Sequence, residues 1–490
     1  MATVQQRIIF GLKIRQFRQE KGWNFDELSR QCGISISYLN EIEKGKKYPL
    51  AENQTKLADA LGVSRETLVS PVLTKQYGPL GDLLQSNFLN ELPLELFGIE
   101  LQQVVEIIAK APDRVNAFIS ALLEIARNYS LRDENFFFAA LRAYQELHMN
   151  YFEDIEATAA AFVERHQINT KKPVTYSEIA TILTTIYGYT IEEQGLAKYP
   201  DLLGMRSVFV PRKKTLLLNP KLTEQQRTFQ LAKELGFNAL ALKERPLASS
   251  MIRVTSFEET LNNYKAGYFA VAILVNQDVF SENLNRFFAK KTWDDTFFLS
   301  LLERFDVSPA VLFQRFNIIS SGFDLRKIFF FRTIHRVNTN KFEIDKELHL
   351  NRRHQPHSSG LAEHYCRRWL SIALLNDLSS QQSGVQKIVA GIQRATFADS
   401  NEEYLCVALA QSGFPTEDTN VSVMLGILID SSARKSIAFL DDPAIPRTKV
   451  NVTCERCAIM DCKERSAPPV AIIRREERKK TLDALKKLIG

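Results

Sequence analysis

The first 70 residues are divided into short helical segments by residues that start and end helices. Apolar residues at helical spacing, Ile8 and Phe17 among them, predict a first helix, and Gly22 ends it. Asn24 and Ser35 each stand directly before another helical pattern, and both residue types cap helix N-termini. Such frequent punctuation is incompatible with long helices or sheets. We therefore predict a small bundle of five short helices at the N-terminus.

The third predicted helix follows a tight turn at Gly33 and leads into a basic segment. Leu39 and Ile42 give it one apolar face, which would pack inward, while polar side chains occupy the remaining surface. Short polar side chains near a helix N-terminus can reach base edges in the major groove, and lysines can contact phosphates. We therefore predict that this helix and its ends bind double-stranded DNA through Ser35, Ser37, Tyr38, Asn40, Glu41, Lys44 and Lys46.

Charge and cysteine content limit the class of protein. Lysines and arginines number 63 and acidic residues 57, so the net charge of +6 permits a nucleic-acid partner without requiring one. Six cysteines in 490 residues are too few for a secreted disulfide scaffold. No signal-peptide pattern opens the chain, and no apolar stretch approaches the roughly 20 residues that span a bilayer. We expect a protein of the reducing cytoplasm with no membrane partner.

The N-terminal segment resembles the Xre, lambda-repressor-like helix-turn-helix domains. In that family an arginine near the end of the first helix often pairs with a glutamate after the recognition helix, and Arg18 and Glu43 occupy these positions. Phe25 stands where the family usually has a glutamine that contacts DNA. The resemblance implies that residues 1–72 form a DNA-binding domain.

The rest of the sequence predicts a multidomain α+β protein with three further regions. Residues 73–167 carry a helical pattern after a stretch with glycine and proline, so we expect a helical linker and dimerisation region. Residues 168–348 mix helices and strands, and residues 349–490 combine strand patterns with a cysteine cluster and a basic tail. We therefore expect two α+β domains after the linker.

Several elements of these two domains are predicted from local patterns. A hairpin of Ser207–Val210 and Thr215–Leu218 precedes a helix over Thr223–Leu242. A run of phenylalanines predicts a buried strand over Lys327–Thr333. Further strands are predicted at Gln386–Ala395, Tyr404–Leu409, Val421–Ile429 and Ser436–Leu440.

The helix over Thr223–Leu242 and its hairpin resemble the zinc-binding region of the ImmA/IrrE metallopeptidases. That family has His-Glu-x-x-His on this helix, and the two histidines bind zinc. Here Lys233 and Phe237 replace the histidines, and Glu234 alone is retained. Asn263 aligns with the third ligand. The resemblance implies a degenerate domain that is not an enzyme and serves sensing or domain contacts. A DNA-tethered metallopeptidase is the alternative. The simplest interpretation is that Glu234 has only a structural role.

Three cysteines lie within nine residues near the C-terminus, at Cys454, Cys457 and Cys462. In a cytoplasmic protein this spacing favours a metal or iron–sulfur site over a disulfide, and a closed site needs a fourth ligand. Cys366 lies in a polar, basic segment that favours a thiolate, whereas Cys406 lies in the pattern of a buried strand. We predict Cys366 as the fourth ligand and Cys406 as a core residue. The spacing suits zinc or an iron–sulfur cluster, and unmetallated thiols are a third alternative.

The order of these regions resembles the short-chain fatty acyl-CoA transcriptional regulators. That group combines an Xre domain, an ImmA/IrrE-like middle and the terminal pattern Cys-x2-Cys-x4-Cys-x2-Arg-x2-Pro-Pro, which this chain also has. It also carries a cysteine shortly before a tryptophan, matched by Cys366 and Trp369.

This second resemblance implies a ligand and a cofactor. The ligand is a short-chain acyl-CoA and the cofactor a 4Fe–4S cluster, with zinc as the alternative metal. We therefore predict a homodimeric, DNA-binding transcription regulator whose affinity for DNA responds to acyl-CoA. A redox-sensing or iron–sulfur-sensing regulator is the alternative.

Overall fold

The chain divides into two compact units in a computed structural model. One unit holds residues 1–140 with 255–258 and the other residues 141–254 with 259–490, each so far as the structure describes it. Helices and two mixed sheets are present, which confirms the predicted multidomain α+β class. The part of the predicted linker between residues 74 and 132 lies outside the described residues. Those residues are 3–71, 73, 133–249, 256–339, 341–350, 363–380, 388–412 and 419–489.

Residues 3–71 form five short helices whose ends are set by capping residues. Asn24 Oδ1 accepts a hydrogen bond from the Glu27 amide at 2.9 Å, and the Asn24 amide donates to Glu27 Oε2 at 2.6 Å. Ser64 Oγ accepts from the Thr67 amide at 3.1 Å. The helices are α1 (Val4–Glu20), α2 (Phe25–Cys32), α3 (Ile36–Glu43), α4 (Ala51–Leu61) and α5 (Arg65–Val69). Their shared apolar core includes Phe10, Ile14, Leu28, Leu39, Ile42, Leu57 and Leu68.

A small sheet and a long helix form the centre of residues 133–249. The predicted hairpin is confirmed with the same bounds, and its second strand pairs on the other side with a short parallel strand. The strands are β1 (Thr190–Glu192), β2 (Ser207–Val210) and β3 (Thr215–Leu218). The helices are α6 (Asp133–Leu147), α7 (Glu153–Arg165), α8 (Tyr176–Thr185) and α9 (Glu224–Ala239). Helix α9 therefore ends three residues before the predicted end at Leu242.

Four helices and a six-stranded sheet follow. The helices are α10 (Phe257–Leu274), α11 (Gln277–Phe288), α12 (Phe297–Phe305) and α13 (Pro309–Ile319). The strands are β4 (Ile328–Arg336), β5 (Lys341–His349), β6 (Ile388–Phe397), β7 (Glu403–Ser412), β8 (Thr419–Leu428) and β9 (Arg447–Val450). Their order is β5-β4-β8-β7-β6-β9, and only the β6–β9 pair is parallel. Three further helices are α14 (Leu370–Ser380), α15 (Ser431–Ser436) and α16 (Val470–Ile489).

The predicted strand at Ser436–Leu440 is wrong. Helix α15 ends at Ser436, and the chain then forms a turn. Phe439 is buried against Phe287 of α11, with ring centroids 4.8 Å apart, and the Ala438 amide donates to the Phe288 carbonyl at 2.8 Å. Packing against a helix satisfies these apolar residues without a sheet, and a short apolar pattern cannot distinguish the two.

The six-stranded sheet contains strands from two of the predicted domains. Strands β4 and β5 precede residue 350, whereas β8, the strand beside β4, belongs to the predicted region 349–490. The proposed division into four domains stays a prediction. Among the described residues, no helix is both long and apolar enough to cross a membrane.

Candidate DNA-binding helix and sensor sites

Helix α3 presents a polar face whose start is fixed by two residues. Gly33 adopts a left-handed conformation with φ of 68°, which turns the chain between α2 and α3. Ser35 Oγ then accepts a hydrogen bond from the Tyr38 amide at 3.3 Å. Leu39 and Ile42 are buried, as predicted. The seven predicted DNA contacts are all accessible: Ser35, Ser37, Lys44 and Lys46 are exposed, and Tyr38, Asn40 and Glu41 are partly exposed.

Helix α3 approaches α1 so closely that only glycine fits between them. A Cβ atom at Gly11 would lie 2.2 Å from the carbonyl oxygen of Ile42. This close packing sets the direction in which the polar face of α3 points, because α1 is part of the bundle core.

The predicted pair of Arg18 and Glu43 is present and is bidentate. Arg18 Nε and Nη2 donate to the two carboxylate oxygens of Glu43 at 2.6 and 2.9 Å, and Nη1 donates to the Trp23 carbonyl at 2.8 Å. The Arg18 guanidinium lies 4.4 Å from the ring centroid of Phe25. Phe25 thus has a packing role at the position where the resembling family has a glutamine.

The residues at the former zinc-ligand positions contact each other instead of a metal. Lys233 Nζ donates to Asn263 Oδ1 at 2.5 Å, which joins the first position to the third. At the second position, the ring of Phe237 lies 3.9 Å below the Arg245 guanidinium. The same guanidinium donates to Glu234 Oε1 at 2.5 Å.

The side chains at these positions differ in charge from the zinc ligands of the resembling family. Desolvation, Arg245 and Arg206 together lower the pKa of Lys233 to about 8, and Glu234 opposes them. Glu234 is buried, and Tyr189 also donates to its second oxygen at 3.1 Å. Both carboxylate oxygens of Glu234 thus accept hydrogen bonds from side chains of the chain itself. Two cations, an amide and a ring do not fit a divalent metal ion.

Three of the four predicted cysteine ligands lie in neighbouring segments. An antiparallel bridge between Tyr365 and Thr453 joins the two stretches of chain. The Cys366 amide donates to the Val452 carbonyl at 3.1 Å, and the Cys454 amide donates to the His364 carbonyl at 2.8 Å. Cys366, Cys454 and Cys457 are all buried. Burial raises the pKa of Cys366 to about 11, and the nearby Cys454 and Cys457 raise it further.

Arg465 holds the loop that carries the cysteines. Its guanidinium donates to the carbonyls of Cys454 at 2.8 Å, Cys457 at 3.2 Å and Ile459 at 2.5 Å. The Cys462 thiol is more exposed and lies 3.5 Å from a Glu464 oxygen. Across the described parts of the chain, no three His, Cys, Asp or Glu side chains are placed to hold a metal ion. The four-cysteine ligand set therefore stays a prediction.

Cys406 has the core position that its strand pattern predicts. It lies in β7 and is buried with Trp369 and Phe331 in the core of the sheet. Burial raises its pKa to about 12, which favours the neutral thiol.

The sequence patterns did not indicate a group of cations in the second unit. Arg206, Arg332 and Lys346 lie on separate segments; Arg332 lowers the pKa of both other residues, and Arg206 lowers that of Lys346. Because they come from separate segments, no local spacing relates them. Only the pairing of β4 with β5 and the position of α9 bring them near one another.

Two parts of the chain match models of known domain families. Residues 11–72 match a helix-turn-helix domain, and residues 196–317 match an IrrE N-terminal-like domain. The second match contains Lys233, Phe237 and Asn263, the three altered ligand positions. The IrrE-like character of the middle region is thereby confirmed.

Relatives of the N-terminal region are regulators. The uncharacterized HTH-type transcriptional regulator YazB of Bacillus subtilis is 40% identical over 63 residues, which are 13% of this chain and 91% of YazB. A hypothetical transcription factor of Neisseria meningitidis is 37% identical over 65 residues, and the chain spans 61% of its length. The alignment with the solved structure of a Mycobacterium tuberculosis transcriptional regulator covers 67% of this chain and 92% of the regulator's chain, with 17% identity and a TM-score of 0.46. The chain belongs to the Xre-type family of helix-turn-helix transcriptional regulators.

Proposed function

We propose that this protein is a ligand-responsive transcription regulator that binds double-stranded DNA through α3. The observation that carries the proposal is the accessible polar face of α3, which the bidentate pair of Arg18 and Glu43 fixes to the bundle. Asn40 projects from the middle of this face, where an amide can contact a base edge, and Lys44 and Lys46 follow it, where they can contact phosphates. The proposed place of action is the cytoplasm.

A homodimer is part of the proposal. Two recognition helices of a dimer contact half-sites about 34–36 Å apart on one side of the duplex. A single α3 covers only a few base pairs, so a second copy would supply the remaining specificity. The region 73–167 is the proposed dimerisation element.

The proposed ligand is a short-chain acyl-CoA, on the basis of the resemblance of the whole chain to the acyl-CoA regulators. A ligand changes affinity for DNA only if it binds the DNA-competent and DNA-incompetent arrangements with different affinity. We expect the second unit to bind it, because the IrrE-like scaffold there is kept without its metal ligands.

For the cysteines we propose a 4Fe–4S cluster, with zinc as the alternative. Cys366, Cys454, Cys457 and Cys462 would hold it, and a bound cluster would supply a group that responds to oxidation. The burial of three thiols and the bridge of Tyr365 to Thr453 support this proposal. It requires the four thiols to come closer together than the structure places them, with Cys462 turning away from Glu464.

We further propose that the IrrE-like domain is not a peptidase. The direct bond of Lys233 to Asn263 and the pairing of Glu234 with Arg245 support this. The alternative, a DNA-tethered metallopeptidase, requires zinc bound at Lys233–Phe237. Metal analysis of a variant that lacks Cys454 and Cys457 distinguishes the two, because zinc retained there would favour the peptidase.

A gel shift of the full chain with the DNA upstream of its own coding sequence tests the main proposal. We expect retardation that acetyl-CoA or propionyl-CoA changes and that free coenzyme A changes less. Absence of any acyl-CoA effect on DNA binding and on thermal stability would contradict the ligand but not the DNA-binding role. Absence of retardation would contradict the regulator itself.

Anaerobic purification tests the cluster. We expect a brown protein with bound iron, and we expect Cys462→Ser to lose the iron while the control Cys32→Ala retains it. Cys32 lies in the bundle of the first unit, so its replacement does not affect the proposed ligands. Zinc in place of iron would favour the alternative metal. If Cys454→Ser and Cys457→Ser change neither colour nor DNA binding, the redox-sensing alternative is wrong.

A further inference from the structure

A cleft in the second unit opens between helix α9 and the six-stranded sheet. Its empty volume, which includes open solvent at its mouth, is about 570 Å³. Gln226, Phe229 and Gln230 line it from α9, and the first residues of α13 line it from another side. Strands β4, β7 and β8 form its floor.

One row of cross-strand neighbours runs along this floor. Lys346 of β5 is the register partner of Arg332 in β4, Arg332 pairs with Val423 of β8, and Val423 pairs with Leu409 of β7. Register partners point to the same face of a sheet. Arg332, Val423 and Leu409 line the cleft, so Lys346 belongs to the same face. The row therefore places two cations beside an apolar surface.

A β-bulge at Asp345 concentrates charge at this end of the cleft. The register of β4 and β5 shifts between Arg332 and Thr333, which leaves Asp345 as the extra residue on β5. Asp345 Oδ1 accepts a hydrogen bond from Arg332 Nε at 2.8 Å. This carboxylate neutralises one guanidinium, while Lys346 and Arg206 stand near the same place.

The cations at this end repel one another. Desolvation and the neighbouring Arg332 together lower the pKa of the half-buried Arg206 to about 10, against a smaller opposite effect of Asp345. Lys346 is exposed on the sheet; partial desolvation, Arg332, Lys233 and Arg206 together lower its pKa to about 7, and Asp345 opposes them. A cluster of like charges that raises the free energy of the empty protein is stabilised by a bound anion.

Helix α9 extends the cationic surface toward the former zinc position. Gln226, Phe229 and Gln230 are spaced as neighbours on one helix face, and Lys233 follows one turn later on that face. A lysine thus occupies the first metal-ligand position of a helix face that lines the cleft. The replacement changes a site for a cation into a site suited to an anion.

The N-terminus of α13 adds a further positive potential. The N-cap Ser308 and Pro309, the first residue of this 11-residue helix, line the cleft, and the Ser308 side chain makes no capping hydrogen bond. The amide ends of a helix carry a partial positive charge and favour anions. The arginines and this helix end therefore act in the same direction.

We propose that the cleft binds an organic phosphate. Arg206, Arg332 and Lys346 would contact its phosphate groups, since guanidinium groups form paired hydrogen bonds with phosphate oxygens. Phe229 and the aliphatic side chains of the floor would contact its apolar part. This phosphate site would account for the proposed ligand response. Only its effect on DNA binding rests on the proposed function.

Calorimetric titration of the full chain at pH 6.5 tests the site. The ligands are coenzyme A, inorganic pyrophosphate, and pantetheine, which lacks phosphate. We expect coenzyme A and pyrophosphate to bind, and Arg206→Gln and Lys346→Gln each to weaken both by about tenfold or more. The control Lys341→Gln removes the same charge from β5 opposite Arg336, which does not line the cleft, and we expect it to change affinity by less than about twofold. Pantetheine should bind weakly and equally to all four proteins.

Thermal unfolding without ligand separates binding from folding. Because Lys346 is repelled by its neighbours, Lys346→Gln should raise Tm or leave it unchanged while it weakens phosphate binding.

Equal affinity of the cleft variants and the control, or no binding of either phosphate ligand to the natural protein, overturns the inference. If acyl-CoA alters DNA binding but the cleft variants bind it normally, the site is wrong and the proposed function stands. If binding depends on Arg206 and Lys346 but no acyl-CoA alters DNA binding, the site stands and the acyl-CoA response is wrong.

Discussion

Two Arg–Glu ion pairs, one in each unit, have nearly the same environment but different consequences. The side chains of Arg18 and Glu43 are 11% and 6% exposed, and those of Arg245 and Glu234 are 11% and 7% exposed. Each guanidinium also lies over a phenylalanine ring, at 4.4 Å in the first pair and 3.9 Å in the second. Burial and stacking therefore cannot explain why one pair supports the candidate reading helix and the other engages the glutamate retained from the metallopeptidase motif.

The neighbours of each pair explain the difference. Glu43 ends α3, so its bond to Arg18 joins the proposed DNA-reading helix to α1. Glu234 instead lies beside Lys233 and accepts bonds from Arg245 and Tyr189, which engage the carboxylate that a peptidase would need. The same kind of ion pair therefore positions the proposed reading helix in one unit and occupies the retained glutamate in the other.

Removal of either arginine should give the largest effect on stability. Arg18→Ala and Arg245→Ala each leave a buried carboxylate without its cation, and we expect the free energy of unfolding to fall by about 3–5 kcal/mol. Urea denaturation followed by circular dichroism measures this. Only Arg18→Ala should also abolish DNA binding, and Arg18→Lys should lose less stability because it keeps the charge. A loss below about 1 kcal/mol in both would show that the pairs behave like exposed ones.

Lys233 should make stability depend on pH in a way that the first pair does not. Its pKa is about 8 in the folded protein and its ordinary value is 10.5, so the unfolded chain binds more protons between these values. The free energy of unfolding of the natural protein should therefore rise with pH from 8 to 10.5, relative to Lys233→Met, by at most about 1.4 kcal/mol per pH unit. Parallel stability curves for the two proteins across this range would contradict the assignment of a half-buried lysine whose charge Arg245 and Arg206 oppose.

Replacement of Lys44 should change how the affinity for DNA depends on salt concentration, rather than the stability of the protein. If it contacts a phosphate, Lys44→Ala should reduce the slope of log affinity against log salt concentration by about one. Fluorescence anisotropy with upstream DNA measures this slope. Lys56→Ala, on α4 outside the predicted contact set, is the control, and an equal change in both would disprove a specific role for Lys44.

The exposed pair of Glu52 and Lys56 sets the lower limit of the comparison. These side chains are 79% and 49% exposed and lie four residues apart on α4. Lys56→Ala should therefore lower the free energy of unfolding by only about 0.3–0.5 kcal/mol. Urea denaturation checks this, and a loss comparable to that of Arg18→Ala would remove burial as the cause of the large effect.

The first unit could be predicted from its sequence because local signals agree there. Gly33, Asn24 and Ser35 fix helix ends by their own backbone and side-chain chemistry, and they lie at those ends in the structure. The packing role of Phe25 was not visible, because it depends on a guanidinium that approaches from α1.

The second unit was less predictable because its sites depend on distant contacts. The loss of the zinc ligands was visible at Lys233 and Phe237, but the Arg245 guanidinium that covers the ring was not. The hairpin was visible from its turn, whereas the segment at Phe439 was mistaken for a strand because a helix buries it. The cationic cleft had no local signal, since cross-strand register alone joins Arg332 to Lys346.

Protection of the upstream DNA from nuclease cleavage tests the central claim most directly. The full natural chain should protect a site with two halves about 34–36 Å apart. Asn40→Ala should weaken this protection by about 1–3 kcal/mol, because it removes a contact to a base edge. Thr55→Ala, an exposed position of α4, should protect as the natural chain does. Equal protection by Asn40→Ala and the natural chain, or no protection by either, would contradict the assignment of α3 as the DNA-reading helix.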